Sequence, residues 1–234
     1  DGVVVNGIEI ERGDWTGPGA ARRVLRHEDV DVAVLETARG GILRRGLVID
    51  SCDAALITNI ADDHLGEYGV LTVADMARAK GLVCEAVKPD GRRILNADDP
   101  YLVDLGRAQG APVCWFSNQP MTPWLSTHLE EGGEAWVLED GWLTLCQGPS
   151  RTQVVETLAL PSSYGGTALH NVANALATLV IAKELGIEFD TAATALADFV
   201  GIERRFHLRG EMAGIRVVDD YAHHPSELQA TITA

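Results

Sequence analysis

Lysine is scarce in this sequence, with only Lys80, Lys88 and Lys183 among 234 residues. Lysine and arginine together number 19, against 34 aspartates and glutamates, so the formal net charge is −15. Nucleic acids and anionic membrane surfaces are both recognised by clustered lysine and arginine. The composition therefore predicts neither as a partner, and we interpret the acidity as favouring solubility.

Closely spaced cysteine pairs and long apolar runs are also missing. The four cysteines contain no C-x-x-C pair, and Cys84 and Cys114 fall in apolar patterns typical of core residues. A reduced, cytoplasmic protein is the simplest prediction. No apolar run approaches the roughly 20 residues of a membrane span, and no signal peptide is predicted. The opening on Asp1-Gly2, without an initiator methionine, indicates a fragment.

Strand and helix patterns alternate along most of the chain, which predicts an α/β fold with a mostly parallel central sheet and flanking helices. Near-continuous apolar runs at 30–36 and 54–60 predict strands that are buried on both faces. Thr72 and Asp75 predict the capped start of a helix that ends near Val87. Further strands are predicted at 92–96, 111–117 and 215–219, and further helices at 18–26, 100–109, 169–185, 190–200 and from Pro225 onward.

One stretch breaks this alternation. Residues 134–139 and 142–146 flank Asp140-Gly141, which is a hairpin signal, so a small antiparallel hairpin is predicted there. Residues 1–201 are predicted to form one domain. The strand, turn and helix within 202–234 predict the beginning of a second, Rossmann-like α/β domain that the chain does not complete.

Glu36 is the first candidate functional residue, because it closes the predicted strand at 30–36. Ligands of open α/β sheets bind beyond the carboxyl ends of the strands, so a carboxylate there is placed to bind a cation. The alternative is a structural ion pair with Arg39 or Arg44. Position alone leaves both interpretations open.

Two further candidates are His64 and Lys80. His64 follows Asp62 and Asp63 after the predicted strand at 54–60, where oxygen and imidazole groups can bind a metal. Lys80 lies on the apolar stripe of the helix predicted from Thr72, where a charged amine is unfavourable unless it is compensated or removed. Carbamylation would convert it to a carboxylate-like group. The alternatives are a structural histidine and a lysine whose stem covers the core edge.

Four polar residues nearer the end of the chain suit a nucleotide. Asn171 and Asn174 share one face of a predicted helix, and amides pair well with the edge of a purine. Arg205, beside Arg204, can stabilise phosphoryl charge, and Asp220 at a strand end can hold a ribose hydroxyl. Helix capping and surface ion pairs are the alternatives.

The order of these motifs is more specific than any one of them, and together they resemble the Mur ligase family. The resemblance runs through nearly the whole chain. Its motifs are Glu36, Asn-x-x-x-Asp-His-Leu at 59–65, Ala-Lys at 79–80, Leu-Asn-Ala-Asp-Asp-Pro at 95–100, His-Asn-x-x-Asn-Ala-Leu-Ala at 170–177, Arg-Arg-Phe at 204–206 and Asp-Asp-Tyr-Ala-His-His-Pro at 219–225.

The resemblance implies ATP and Mg²⁺ as cofactors and an ATP-dependent ligase that joins a carboxylate to an amine through an acyl phosphate. It also implies roles for individual residues. These are Glu36 and His64 on Mg²⁺, a carbamylated Lys80, Asn171 and Asn174 near the adenine, Arg205 near the γ-phosphate, Asp220 on the ribose, and His223 beside the nucleotide. Lys80, Arg205 and His64 are the candidate catalytic residues.

The resemblance also implies partners. Residues 13–18 and 35–44 look most like members of the family that add arginine to aspartate side chains of a poly-aspartate polymer. The stretch at 204–225 is similar to the ligases that act on UDP-N-acetylmuramate. The implied substrates are thus a small amino acid and an acidic peptide or polymer. Assembly into a homo-oligomer is compatible with this interpretation, and a non-catalytic scaffold domain is the alternative function.

One departure from the family pattern concerns the phosphate loop, Gly-x-x-Gly-Lys-Ser/Thr. No Gly-Lys pair occurs in this sequence. Such a loop supplies backbone N–H groups, a lysine charge and a hydroxyl for Mg²⁺. The 234-residue chain by itself is therefore expected to fold but not to hydrolyse ATP.

Overall fold

A computed structural model describes residues 2–13, 15, 18–62, 65–108, 110–119 and 121–234. In chain order its strands are β1 Gly2–Val5, β2 Ile8–Arg12, β3 Cys52–Ile57, β4 Val87–Asn96, β5 Val113–Ser117, β6 Glu134–Glu139, β7 Trp142–Gln147, β8 Ser150–Glu156, β9 His207–Met212 and β10 Ile215–Asp219. Its helices are α1 Pro18–Leu25, α2 Arg39–Arg45, α3 Val73–Glu85, α4 Pro100–Arg107, α5 Pro123–Glu130, α6 Leu169–Glu184, α7 Phe189–Asp198 and α8 Pro225–Thr233.

Six of these strands form one sheet in the order β3-β4-β5-β6-β7-β8. The pairs from β3 to β6 are parallel, and β6, β7 and β8 pair antiparallel. The prediction of a mostly parallel α/β sheet with an added hairpin is therefore confirmed. The hairpin turn has Asp140 at φ 50° and Gly141 at φ 82°, the left-handed geometry that an Asp-Gly pair favours. The hairpin continues the main sheet, because β6 pairs with β5.

Each face of the sheet carries its own hydrophobic core. Successive strand residues point to opposite faces, so Ile94 and Leu95, both 0% exposed, belong to different clusters. The first cluster packs under α6 and α7 and includes Leu176, which is 0% exposed. The second packs under α3, α4 and α5 and includes Met76, which is also 0% exposed. A parallel sheet requires such cover on both faces.

The helices begin at capping residues that the sequence supplies. Thr72 and Asp75 form the predicted capping box of α3, with each side chain accepting a hydrogen bond from the other residue's backbone N–H. Thr122 caps α5 by accepting from Leu125 N. Both α4 and α5 start with proline, whose missing N–H needs no partner in the first turn.

The prediction of a strand at 30–36 is wrong. Residues 33–38 are irregular, and Val32 and Val34 are 57% and 78% exposed. An apolar run becomes a buried strand only where a neighbour pairs with its backbone. In the part of the chain that the structure describes, the edge strand β3 is bonded to β4 alone.

Two antiparallel hairpins lie outside the main sheet. The pair β1–β2 turns at Asn6-Gly7, with φ 50° and 78°. The pair β9–β10 precedes α8 and so realises the strand and helix predicted at 215–219 and from Pro225. Within the described residues, no helix is both long and apolar enough to cross a membrane.

Candidate functional site

The carboxyl ends of β3 and β4 are joined by side chains at the end of β4 and just after it. Asn96 donates from Nδ2 to Thr58 O at 3.0 Å. Asp99, 8% exposed, accepts from Ile60 N at 2.6 Å and caps α4 by accepting from Tyr101 N at 2.9 Å. A buried carboxylate that accepts hydrogen bonds from backbone N–H groups is stabilised by them. The ends of these strands are therefore held in fixed positions next to the site.

The neighbouring Asp98 extends the same network toward α6. It accepts from Ser117 Oγ at 2.5 Å and from Asn118 N at 2.8 Å. Asn118 in turn donates from Nδ2 to Leu169 O at 2.7 Å. The motif at 95–100 therefore fixes the end of β5 and the start of α6 relative to β4.

A cavity of about 1090 Å³ lies beside this edge. Its walls come from the loop after β3, from α6 and α7, and from the chain between 199 and 231. Most of the surface is apolar, with residues such as Ala175, Leu196 and Phe199, and a small set of polar groups interrupts it. Ligand sites usually combine an apolar concavity with few polar groups in this way.

The cavity brings together four of the residues that the sequence assigned to a nucleotide. Asn171 and Asn174 lie on the first turns of α6, while Arg205 and Asp220 lie opposite in the C-terminal segment, and all four line the cavity. Asn171 donates from Nδ2 to Ser162 O at 2.8 Å, which fixes its side chain. These positions agree with the predicted roles, although the roles themselves stay predictions.

The C-terminal wall is organised by short local bonds. Asp220 accepts from Ala222 N at 3.3 Å and from Thr231 Oγ1 at 2.5 Å. The guanidinium of Arg205 lies 5.5 Å from the centre of the Tyr221 ring, a cation–π distance. His223 is exposed and is not among the lining residues; its Nδ1 is 3.0 Å from Tyr221 O.

Glu227 caps the helix on this wall. It accepts from His223 N at 2.9 Å and from His224 N at 3.2 Å. The backbone N–H of His223 is the main reason that the pKa of Glu227 is lowered. Among the described residues that line the cavity, the two carboxylates are Asp220 and Glu227, and both are already hydrogen-bonded within the C-terminal segment.

His170 is a cavity residue to which the sequence gave no separate role. Its ring meets the Phe206 ring edge-on, with centres 5.3 Å apart. Burial lowers the pKa of His170, and the Asp220 carboxylate opposes that shift. Tyr164 was missed as well, because only the Gly165-Gly166 turn signal marks its neighbourhood in the sequence, and Phe206 was quoted only within the Arg-Arg-Phe motif at 204–206.

Glu36, His64 and Lys80 are the residues predicted at the Mg²⁺ and as a carbamate, and the two of them that the structure describes, Glu36 and Lys80, are not among the cavity-lining residues. Glu36 is exposed in the irregular stretch before α2, so its predicted place at a strand end is wrong. His64 lies outside the described residues. Lys80 is partly buried on α3, as its apolar stripe predicted, and is not among the cavity-lining residues. The roles that the resemblance implies for these three residues stay predictions.

The cavity fits a nucleotide better than it fits a metal held by protein alone. Amide, guanidinium and carboxylate groups on apolar walls match a purine, phosphates and a ribose. Within the described ranges, no group of three His, Cys, Asp or Glu side chains could hold a metal ion. Mg²⁺ commonly needs only one or two carboxylates together with substrate phosphates, so this finding is compatible with a nucleotide-borne Mg²⁺.

Comparison with protein families gives one clear match. Residues 16–182 match the model of the Mur ligase middle domain. The chain is 36% identical over 233 residues to cyanophycin synthetase from Synechocystis sp., covering 98% of this chain and 27% of that protein. It is 35% identical over 211 residues to UDP-N-acetylmuramate–L-alanine ligase from Rubrobacter xylanophilus, covering 89% of this chain and 41% of that ligase.

Comparison with solved structures agrees on the fold. The crystal structure of MurF from Acinetobacter baumannii superposes with a TM-score of 0.63 at 23% identity, covering 87% of this chain and 42% of that one. At this identity the likeness concerns the fold alone. The chain spans about a quarter of the length of the cyanophycin synthetases that it matches.

Proposed function

This chain belongs to the Mur ligase family, and we propose on that basis that it forms the nucleotide-binding part of an ATP-dependent ligase that joins a carboxylate to an amine. The observation that carries the proposal is the cavity at the carboxyl edge of the sheet, where Asn171, Asn174, Arg205 and Asp220 meet. The first three supply amides and a positive charge, and Asp220 supplies a carboxylate.

ATP, when bound, supplies the phosphoryl group that activates the substrate carboxylate, and Mg²⁺ supplies positive charge at the phosphates. Phosphoryl transfer depends on positioning and charge more than on covalent help from the protein. In this chain Asn171 and Asn174 would orient the base, Asp220 would accept from the ribose hydroxyls, and Arg205 would face the phosphates. Glu36 and His64 remain the proposed Mg²⁺ ligands.

The proposed substrates are an acidic polymer and a free amino acid, with arginine joined to aspartate side chains. Identity to cyanophycin synthetase over almost the whole chain supports this choice. Identity to UDP-N-acetylmuramate–L-alanine ligases at a similar level supports the second candidate. For either candidate we propose a cytoplasmic location, and we propose that residues 202–234 open a second domain.

Nucleotide binding is tested by calorimetry on the gene product that carries this sequence, with ATP and Mg²⁺. Asp220→Asn should weaken ATP binding about tenfold, because it removes a charged acceptor. Asp219→Asn is the matched control, since Asp219 pairs with Arg209 at 3.3 Å outside the cavity lining. Wild-type protein that binds no ATP would contradict the proposal, and equal effects of both variants would contradict the role of Asp220.

The substrate choice is tested by mass spectrometry of amide products. Poly-aspartate with arginine, and UDP-N-acetylmuramate with alanine, are offered separately with ATP. We expect product only from the first pair. Product only from the second pair would identify a muramate ligase, and ATP binding without product from either pair would contradict both substrate choices and favour a non-catalytic scaffold.

Lys80 gives a separate prediction. If it acts as a carbamate, Lys80→Ala should abolish most ligase activity, and formate or acetate should restore part of it, because a small carboxylate can replace the lost one. Lys88→Ala is the control, since Lys88 is engaged with Asp53 at 2.6 Å on the surface. Normal turnover of Lys80→Ala would show that this lysine is only structural.

A further inference from the structure

The C-terminal wall of the cavity is attached to the core mainly through one aromatic residue. Across the fully described segment 199–234, Phe206 is the only buried residue, at 8% exposed. Its ring lies between Tyr164, with ring centres 4.7 Å apart at 78°, and His170, at 5.3 Å and 85°. Edge-to-face pairs of this kind add specific attraction to apolar burial.

Tyr164 also holds the backbone of Phe206. Its hydroxyl donates to Phe206 O at 2.7 Å, a bond that spans 42 positions in sequence. Tyr164 comes from the core side, where it ends the short 3₁₀ turn Pro161–Ser163. The same residue therefore contacts both the ring and the carbonyl of Phe206.

The backbone on both sides of this contact is in an unfavourable conformation. Tyr164, Arg204 and Phe206 have φ of 51°, 61° and 49°, in the left-handed region that bulky residues rarely adopt. Such conformations persist only where the surroundings impose them, and they concentrate at functional sites. A residue that holds a neighbouring backbone in such a conformation thereby controls where the side chain of that neighbour lies.

Arg205 is the side chain that this arrangement controls. It lies between Arg204, whose carbonyl accepts from Tyr221 N at 2.8 Å, and Phe206, whose carbonyl accepts from Tyr164. Arg205 N itself donates to Ile202 O at 3.1 Å. The backbone is thus fixed immediately before and after Arg205, and its guanidinium lies over the Tyr221 ring at the cavity.

We infer that Tyr164 is a positioning residue: through its bond to Phe206 it fixes the backbone that directs Arg205 into the cavity. This inference rests on the proposed function, in which Arg205 faces the phosphates of ATP. Tyr164 lines the same cavity as Arg205, and the inference places its role in the bond to Phe206 rather than in a contact with the phosphates. Loss of its hydroxyl should therefore lower kcat/KM for ATP only while Arg205 is present.

The test is a double-mutant cycle in the gene product that carries this sequence, using Tyr164→Phe, Arg205→Ala and both together. Tyr164→Phe should lower kcat/KM for ATP about fivefold, the effect of one hydrogen bond. In the Arg205→Ala background the same change should have less than about a twofold effect. Tyr101→Phe is the matched control, because Tyr101 lies on α4 outside the cavity lining.

Two results would overturn the inference. One is an unchanged kcat/KM for Tyr164→Phe. The other is an effect of equal size with and without Arg205, which would mean that Tyr164 acts by another route.

Hydrogen exchange of the amides at 202–208 separates this inference from the proposed function. Tyr164→Phe should accelerate exchange there and leave β5 unchanged. If the wild-type protein binds no ATP, the proposed function fails, and exchange still decides whether Tyr164 holds this backbone. Unchanged exchange at 202–208 would overturn the inference by itself.

Discussion

The stretch from Cys52 to Asp198 and the segment from 199 to 234 differ in how much apolar surface they bury. In the first, Phe116, Trp136 and Leu176 are all 0% exposed. In the second, Met212 and Ile232 are each 81% exposed, and α8 has no buried residue. The candidate site lies between the two, so one of its walls is built on a dense core and the other on few contacts. Such a difference predicts that local opening begins at the C-terminal wall.

The largest expected effect lies in the core. Trp136→Ala should lower the free energy of unfolding by about 3–5 kcal/mol, because it removes a fully buried indole that meets Phe189 edge-on at 5.6 Å. Urea denaturation followed by circular dichroism measures the loss. Trp136→Phe is the control and should retain much of the stability, since it keeps an aromatic ring. A loss below about 1 kcal/mol for Trp136→Ala would contradict the difference in core packing between residues 52–198 and the segment 199–234.

An intermediate effect is expected at Phe206, which attaches the segment 199–234 to the core. Phe206→Ala should accelerate hydrogen exchange at 207–219 while it changes global unfolding by less than about 1 kcal/mol, because the segment opens separately from the core. The comparison variant is Phe116→Ala, which should lower global stability by about 3–5 kcal/mol. If Phe206→Ala destabilises the core equally, the segment is an integral part of one cooperative unit.

The smallest effect concerns pH. Burial holds the pKa of His170 below its usual value of about 6.5, against the opposing Asp220 carboxylate, so the folded protein binds fewer protons than the unfolded chain. The stability that depends on neutral His170 is therefore present above pH 6.5 and is lost as the pH falls through the lowered pKa. His170→Gln should reduce the difference in the free energy of unfolding between pH 7.5 and pH 5.5. An unchanged difference in this variant would contradict the assignment.

Most of the fold could be predicted because its signals are local. The capping box at Thr72 and Asp75 and the Asp140-Gly141 turn specify their geometry within a few residues, and both are confirmed. The segment 30–36 was predicted wrongly because an apolar run does not reveal whether a partner strand is available to it. Helical spacing predicted that Asn171 and Asn174 share one face of a helix, and in the structure both lie on α6 and line the cavity.

The part of the site that escaped prediction depends on contacts between distant residues. Nothing in the sequence marks Tyr164 as the partner of Phe206, since left-handed backbone at a bulky aromatic residue has no compositional signal. Asp99 was quoted within a motif, but its bond to Ile60 N, 39 positions away, appears only once the strands are aligned.

The strictly sequential strand order has a consequence for synthesis on the ribosome. Each strand from β4 to β8 pairs with the strand before it, so the sheet can grow one strand at a time as the chain emerges. The helices α3, α4 and α5 arrive between the strands and can cover one face as it forms. The opposite face, with Ile94, Phe116 and Trp136, must wait for α6. A nascent chain that pauses before residue 169 would therefore expose an aggregation-prone apolar surface. A chaperone would be most useful during this interval.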